Sequence, residues 1–191
     1  MVRLLQSKGY KTGVELGVQR GHFALHTLNT WRSCTKYYLV DIWAHQENYH
    51  DMANALQGEQ DKLFHETQTT LRPHAGKTVF LRNFTSDAVG LIPGLVDYVY
   101  VDARHDYCGV LEDLELYWPK IRSGGIMAGH DYLDAPQVMS ISSQDWALCM
   151  NGSRFEGAVK GAVDDFFQRL NVPVHVTYQD PPWSSWIVWK P

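Results

Sequence analysis

Long apolar runs are missing from this sequence: no uninterrupted apolar stretch approaches the roughly 18 to 20 residues that a membrane-spanning helix needs, so a membrane is not an expected partner. The opening MVRLLQSKGYKTGVELG also lacks the apolar centre of a secretion signal. Cysteine is scarce. The three present, Cys34, Cys108 and Cys149, are odd in number and show no C-x-x-C spacing, so neither a disulfide framework nor a structural zinc site is expected, and a reducing, cytoplasmic setting follows. Dense lysine or arginine runs are absent as well. With a net charge of -4, this argues against nucleic acid as a partner and for a small-molecule substrate. Internal repeats and linkers are lacking too. What remains is an ordinary globular composition, 45% hydrophobic and 20% charged, in a length that suits one domain over residues 1–191. Self-association is left open.

Strand-like and helix-like patterns alternate from about Thr12 to Val163, the signature of a parallel sheet with crossover helices in an α/β fold. GVELGV (13–18) reads as the first strand, followed by a helix over His22–Trp31; KYYLVD (36–41) is a second, buried strand ending at Asp41. A helix over Leu56–Leu71, stopped by Pro73 and Gly76, leads to a third strand, TVFLR (78–82). DYVYVD (97–102) makes the fourth. The next helix carries Val110, Leu111, Leu114, Tyr117 and Trp118 on one stripe and Glu112, Asp113 and Glu115 on the wet side. GGIMAGHD (124–131) is the fifth strand, so three strand ends carry aspartate: Asp41, Asp102 and Asp131. Residues 132–156 show no period and read as a substrate loop or lid. After a helix over Ala158–Leu170, VHVTY (174–178) and SWIVW (185–189), joined by a QDPPWS turn, form a C-terminal hairpin that closes the sheet antiparallel.

In such sheets ligands bind beyond the carboxyl ends of the strands, where the strand order reverses. VELGVQRG there is an E-x-G-x-x-x-G turn in which Gly17, Val18 and Gly21 let the backbone approach a ligand. It lacks the paired glycine of a dinucleotide fingerprint. A cofactor without phosphates fits better, and S-adenosylmethionine is one: Glu15 would help hold its amino-acid end, Asp41, 24 residues after Gly17, would accept both ribose hydroxyls, and Ile42 and Trp43 would flank the adenosine.

The run VDYVYVDARHDYCGVLEDLELYWPKIRSGGIMAGHDY (96–132) resembles the small class I methyltransferases whose fourth strand ends in D-x-x-H-x-Y and whose fifth ends in G-G-x-x-x-x-H-D, relatives of the methyltransferase domain 24 type. With VELGVQRG and the terminal SSWIVWKP, the resemblance spans most of residues 12–191. It implies a Rossmann-like three-layer sandwich with a mostly parallel seven-stranded sheet, methyl transfer from S-adenosyl-L-methionine, and adenine contacts from Asn83, Phe84, Thr85 and Ser86. Asp102, Ala103 and His105 fall on the cofactor side of the same element, with Ala103 standing where the family frequently has glycine. Relatives that methylate sugar or phenol hydroxyls commonly hold a divalent ion between strands four and five. Asp102, His130 and Asp131 match that placement, for Mg or Mn or, given the histidine, Zn or Fe.

Transfer of a methyl group is an in-line displacement that needs a positioned acceptor and, for a hydroxyl, a proton acceptor. Either His105 or His130 could be the general base. The leading expectation is O-methylation of a small hydroxylated acceptor with divalent-cation assistance. A metal-independent N-methyltransferase, an NAD-dependent oxidoreductase and a non-catalytic binding domain stay open as alternatives. Trp183, Trp186 and Trp189 read as packing rather than an aromatic wall. His45, Tyr49 and His50 suit a solvated loop as well as an acceptor site, and Arg104 would pair with the acceptor or with Asp106.

Overall fold

Alternation of side chains along the strands divides the core into two layers. In β1 (Thr12–Leu16) Val14 and Leu16 enter one apolar cluster, and in β4 (Val96–Val101) Val99 and Val101 join it, whereas Tyr98 and Tyr100 belong to a second cluster. β5 (Ile121–Gly129) repeats the pattern, with Met127 in the first cluster and Ile126 and Ala128 in the second. Strands covered on both faces carry continuous apolar runs, which is why these segments are legible in the sequence. This arrangement comes from a computed structural model that describes residues 1–47, 49–178 and 181–191.

With β2 (Lys36–Asp41), β3 (Thr78–Arg82), β6 (His175–Val176) and β7 (Trp186–Trp189), the sheet runs in the order β3-β2-β1-β4-β5-β7-β6. β1 to β5 pair in parallel; β7 is antiparallel to β5 and to β6. The expected three-layer sandwich and C-terminal hairpin are both present, and part of the expected QDPPWS turn, Gln179 and Asp180, lies outside the described residues. On one face pack α5 (Tyr107–Tyr117) and α7 (Ala158–Arg169), whose Val163 and Phe167 are buried against Trp186 and its neighbours. On the other lie α1 (Val2–Ser7), α2 (His22–Thr30) and α3 (Gln57–Thr70). α4 (Thr85–Ala88) follows β3. No helix among the described residues is long and apolar enough to cross a membrane.

Four local expectations change. The first strand stops at Leu16, because Gly17 takes φ +81° and leaves the strand. The fifth begins at Ile121, not at the glycine pair, which sits where the β4–β5 register shifts and Gly124 has φ +72°. Asp113 is buried rather than on the wet side of its helix, and burial raises its carboxyl to about 7 against the opposing hydrogen bond of Thr85. Residues 132–156 contain a helix, α6 (Ala135–Ser142), opened by a reciprocal cap: Gln137 N donates to Asp134 Oδ1 at 2.9 Å, and Asp134 N donates to Gln137 Oε1 at 3.0 Å.

Candidate active site

The strand order reverses between β1 and β4, so the exits of these two strands open a shared crevice. A cavity of about 400 Å³ lies there, within the usual range for a small-molecule site. Glu15, Gly17, Val18, Asp41, Ile42, Asn83, Phe84, Thr85, Asp102, Ala103 and His105 line it, whereas Gly21, Trp43 and Ser86 do not.

The turn after β1 is held by the end of β2. Asp41 Oδ2 accepts N–H bonds from Val18 at 2.9 Å and Gln19 at 2.8 Å, and its Oδ1 accepts from Trp43 N at 2.8 Å. Gln19 occupies the left-handed region at φ +47°, and its carbonyl receives Trp43 Nε1 at 2.9 Å and Thr67 Oγ1 at 2.6 Å. Trp43 is thus a buried strut under the loop, packed on Phe64, and not a wall of the cavity. The two glycines also serve the protein's own packing. A Cβ on Gly17 would stand 1.8 Å from the Asp102 carbonyl oxygen, and one on Gly21 would stand 2.8 Å from Thr67 Cγ2 on α3. Glu15 is buried in β1 and its carboxyl is pushed up to about 8 by burial, partly countered by the hydrogen bond that Tyr37 donates at 2.7 Å.

Past β4 the chain turns back on itself. Arg104 pairs with Asp106 at 2.5 Å, and Asp106 caps α5 by accepting from Gly109 N. This turn carries His105 across to the end of β5. Its Nε2 lies 3.6 Å from Asp102 Oδ1 and 3.4 Å from Asp131 Oδ2, is buried, and has no hydrogen-bond partner among the described residues. Among the described residues, Asp102, His105 and Asp131 form a candidate metal centre, with ligand atoms within 4.8 Å of one another; the expected set had His130 in place of His105. His130 follows β5 directly, its N–H bonded to Val101 O at 3.3 Å, and its Nδ1 lies 2.8 Å from the other oxygen of Asp131. One carboxylate thus stands between the two histidines.

His105 is enclosed by segments that bear no motif. Asp51 Oδ2 lies 2.8 Å from Nδ1, Tyr49 Oη lies 3.4 Å from the same atom, and the Trp146 ring packs on the imidazole with centroids 4.3 Å apart. Burial alone would lower the imidazole's pKa, but the neighbouring carboxylates of Asp102, Asp51 and Asp131 hold it well above the ordinary value. Tyr49 belongs to the site, therefore, not merely to a solvated loop. His45 and His50 line a second, more open depression of about 770 Å³, which shares Gln46, Tyr49 and Asn54 with the first and reaches Ser142, Gln144 and Leu148. Of the tryptophans, Trp186 is core, Trp189 is half-exposed, and Trp183 stands 5.8 Å from Trp146.

The cysteine expectation is overturned. Cys108, three residues after His105, forms a disulfide with Cys149 of the 132–156 segment across a separation of 41 residues, leaving Cys34 free. Their partnership depends on the fold that stacks the lid over the start of α5, and no local spacing encodes it. The pair also removes the reason for inferring a reducing compartment.

A family model described as a methyltransferase domain matches residues 14–132. No curated protein matches the chain. Solved structures share its fold at low identity. A protein provisionally named caffeoyl-CoA O-methyltransferase from Staphylococcus aureus superimposes with TM-score 0.68 at 10% identity, over 98% of this chain and 80% of that one. The Bacillus cereus O-methyltransferase in complex with SAH gives 0.63 at 12%, over 99% and 79%. The N-methyltransferase NodS from Bradyrhizobium japonicum gives 0.61 at 9%, over 100% and 92%.

Proposed function

This chain belongs to the methyltransferase-domain family and is an S-adenosylmethionine-dependent methyltransferase, and we propose that it methylates an oxygen of a small hydroxylated acceptor with the help of a divalent cation. The oxidoreductase and non-catalytic alternatives give way to that membership. The observation that carries the proposal is the buried, unpartnered His105 Nε2 facing the carboxylates of Asp102 and Asp131. An orphaned nitrogen beside two acids is a costly arrangement that a cation completes.

Asp102, His105 and Asp131 would hold the ion. Two carboxylates with one imidazole suit Mn better than Mg and leave room for Zn or Fe. Bound there, such an ion lowers the pKa of an acceptor hydroxyl and orients it. The chain itself supplies the rest. Asp41 spends both acceptor sites of Oδ2 on Val18 N and Gln19 N and keeps one on Oδ1, beside Trp43 N, for a ribose hydroxyl, while Ile42, Asn83, Phe84 and Thr85 flank the adenine and Glu15 serves the amino-acid end. Half-exposed Phe84 offers an apolar surface that a bound base would cover. The acceptor enters along the open depression flanked by His45, Gln46, Asn54 and Gln144, whose side chains can hydrogen-bond a hydroxyl-rich molecule.

The test is a methyl-release screen of hydroxylated and amine acceptors on chelator-treated protein, with and without Mn or Mg. Hydroxyl methylation restored by the ion is the expected outcome. Turnover confined to amines, or unaffected by chelation, would overturn the oxygen or the cation part respectively.

A further inference from the structure

We infer that Asp51 is the positioning residue of this site: its carboxylate takes the Nδ1–H of His105, so that Nε2 is the nitrogen presented to Asp102, Asp131 and the acceptor. The inference rests on reading the cavity as a methyl-transfer centre, and it applies whether Nε2 binds a cation or takes a proton from the acceptor.

The geometry leaves little choice. An ionised carboxylate only accepts hydrogen bonds, so a ring nitrogen 2.8 Å from Asp51 Oδ2 has to be the donor. Asp51 is itself fixed, because its Oδ1 accepts Ala53 N at 2.7 Å and its side chain is only 4% exposed. His105 keeps that carboxyl below its ordinary value, against burial, which would raise it. The imidazole cannot swing away. Trp146 lies on its face, and His105 N donates to Tyr49 Oη at 3.3 Å. Its remaining nitrogen is buried and faces the two acids, 3.6 Å from Asp102 Oδ1 and 3.4 Å from Asp131 Oδ2. A carboxylate behind a histidine, setting which nitrogen stays free, is the arrangement that orients metal-ligating and proton-accepting imidazoles alike. Asp51 also ties recognition to chemistry. It borders the acceptor depression, and the next residue, Met52, donates its N–H to Gln144 Oε1 of the lid at 3.0 Å.

The test has two arms. In 15N NMR of histidine-labelled protein, with the His105 signals assigned by their loss in His105→Asn, spectra taken above the ring's titration should show the Nδ1–H form in the wild type; the Nε2–H form overturns the inference without any Asp51 variant. In Asp51→Asn the amide can donate as well as accept, so a mixture of forms is expected, with kcat lowered by roughly 10²- to 10⁴-fold, as when the carboxylate behind a catalytic histidine is amidated. S-adenosylhomocysteine affinity should stay within twofold. A ring that keeps the wild-type signature, with kcat within twofold, also overturns it. Failure of the underlying reading looks different: the wild type would neither bind S-adenosylhomocysteine nor turn over, while the ring signature would still report on Asp51.

Discussion

Replacing both Cys108 and Cys149 by alanine cuts the covalent link between the start of α5 and the 132–156 segment, and its cost can be worked from their separation. Releasing a cross-link that spans 41 residues restores chain entropy to the unfolded state worth about 4 kcal/mol at 25 °C. For a chain of 191 residues, an unfolding entropy of about 2.1 cal/mol/K per residue turns that into a fall in Tm of roughly 10 °C. Cys149 is buried, but cysteine to alanine removes little volume, so packing adds little to the loss. Urea unfolding followed by circular dichroism, wild type against the double variant, measures the difference. A thiol titration in denaturant accompanies it, with one reactive thiol expected in the wild type, from Cys34. A loss below about 1 kcal/mol, under the range usual for a native disulfide, would refute the reasoning, as would three titratable thiols in protein purified without reductant.

Asp41→Ala removes the acceptor for three main-chain N–H groups and for the ribose, so S-adenosylhomocysteine should bind more than about tenfold more weakly by calorimetry, the loss of one charged hydrogen bond; unchanged affinity would sink the ribose assignment. Gly17→Ala forces a Cβ into the Asp102 carbonyl at a positive φ, costing about 1–3 kcal/mol for the backbone alone and more for the clash, read as a lower Tm with lost cofactor binding. Glu15 has a folded pKa of about 8, above the ordinary 4.5, so the folded state holds its proton more tightly. Its contribution is intact below the unfolded value and is lost as pH rises toward 8. Glu15→Gln should therefore raise Tm at pH 8.5 and change it little at pH 5, and equal shifts at both would contradict the assignment.

The parts of this protein legible in its sequence are those with a local cause. Strands covered on both faces announce themselves as apolar runs, and strand-end acids and a glycine turn mark a crevice wherever the order reverses. α6 escapes the periodicity reading, because the segment lacks the apolar period that reveals longer helices, although Asp134, Pro136 and Gln137 carry a helix-opening signature. Asp51, Tyr49 and Trp146 were not. They meet His105 across separations that no spacing rule connects, as does the Cys108–Cys149 pair. Choosing between His105 and His130 likewise required the turn after β4, whose path depends on the Arg104–Asp106 pair and the cap of α5. Sequence marked both histidines; the turn after β4 brings His105 to the two acids.

The contact between Gly17 and Asp102 has a consequence for how such a protein can change. Asp102 N donates to Leu16 O at 2.8 Å and Gly17 N to Val40 O at 2.9 Å, so the exits of three neighbouring strands are locked together by main-chain atoms. The distance from donor to reacting centre is then set by peptide geometry, which side-chain substitution barely alters. New acceptors would have to be won at the lid and the loop after β2. An engineer wanting a different product should recombine those two segments and leave the strand exits alone.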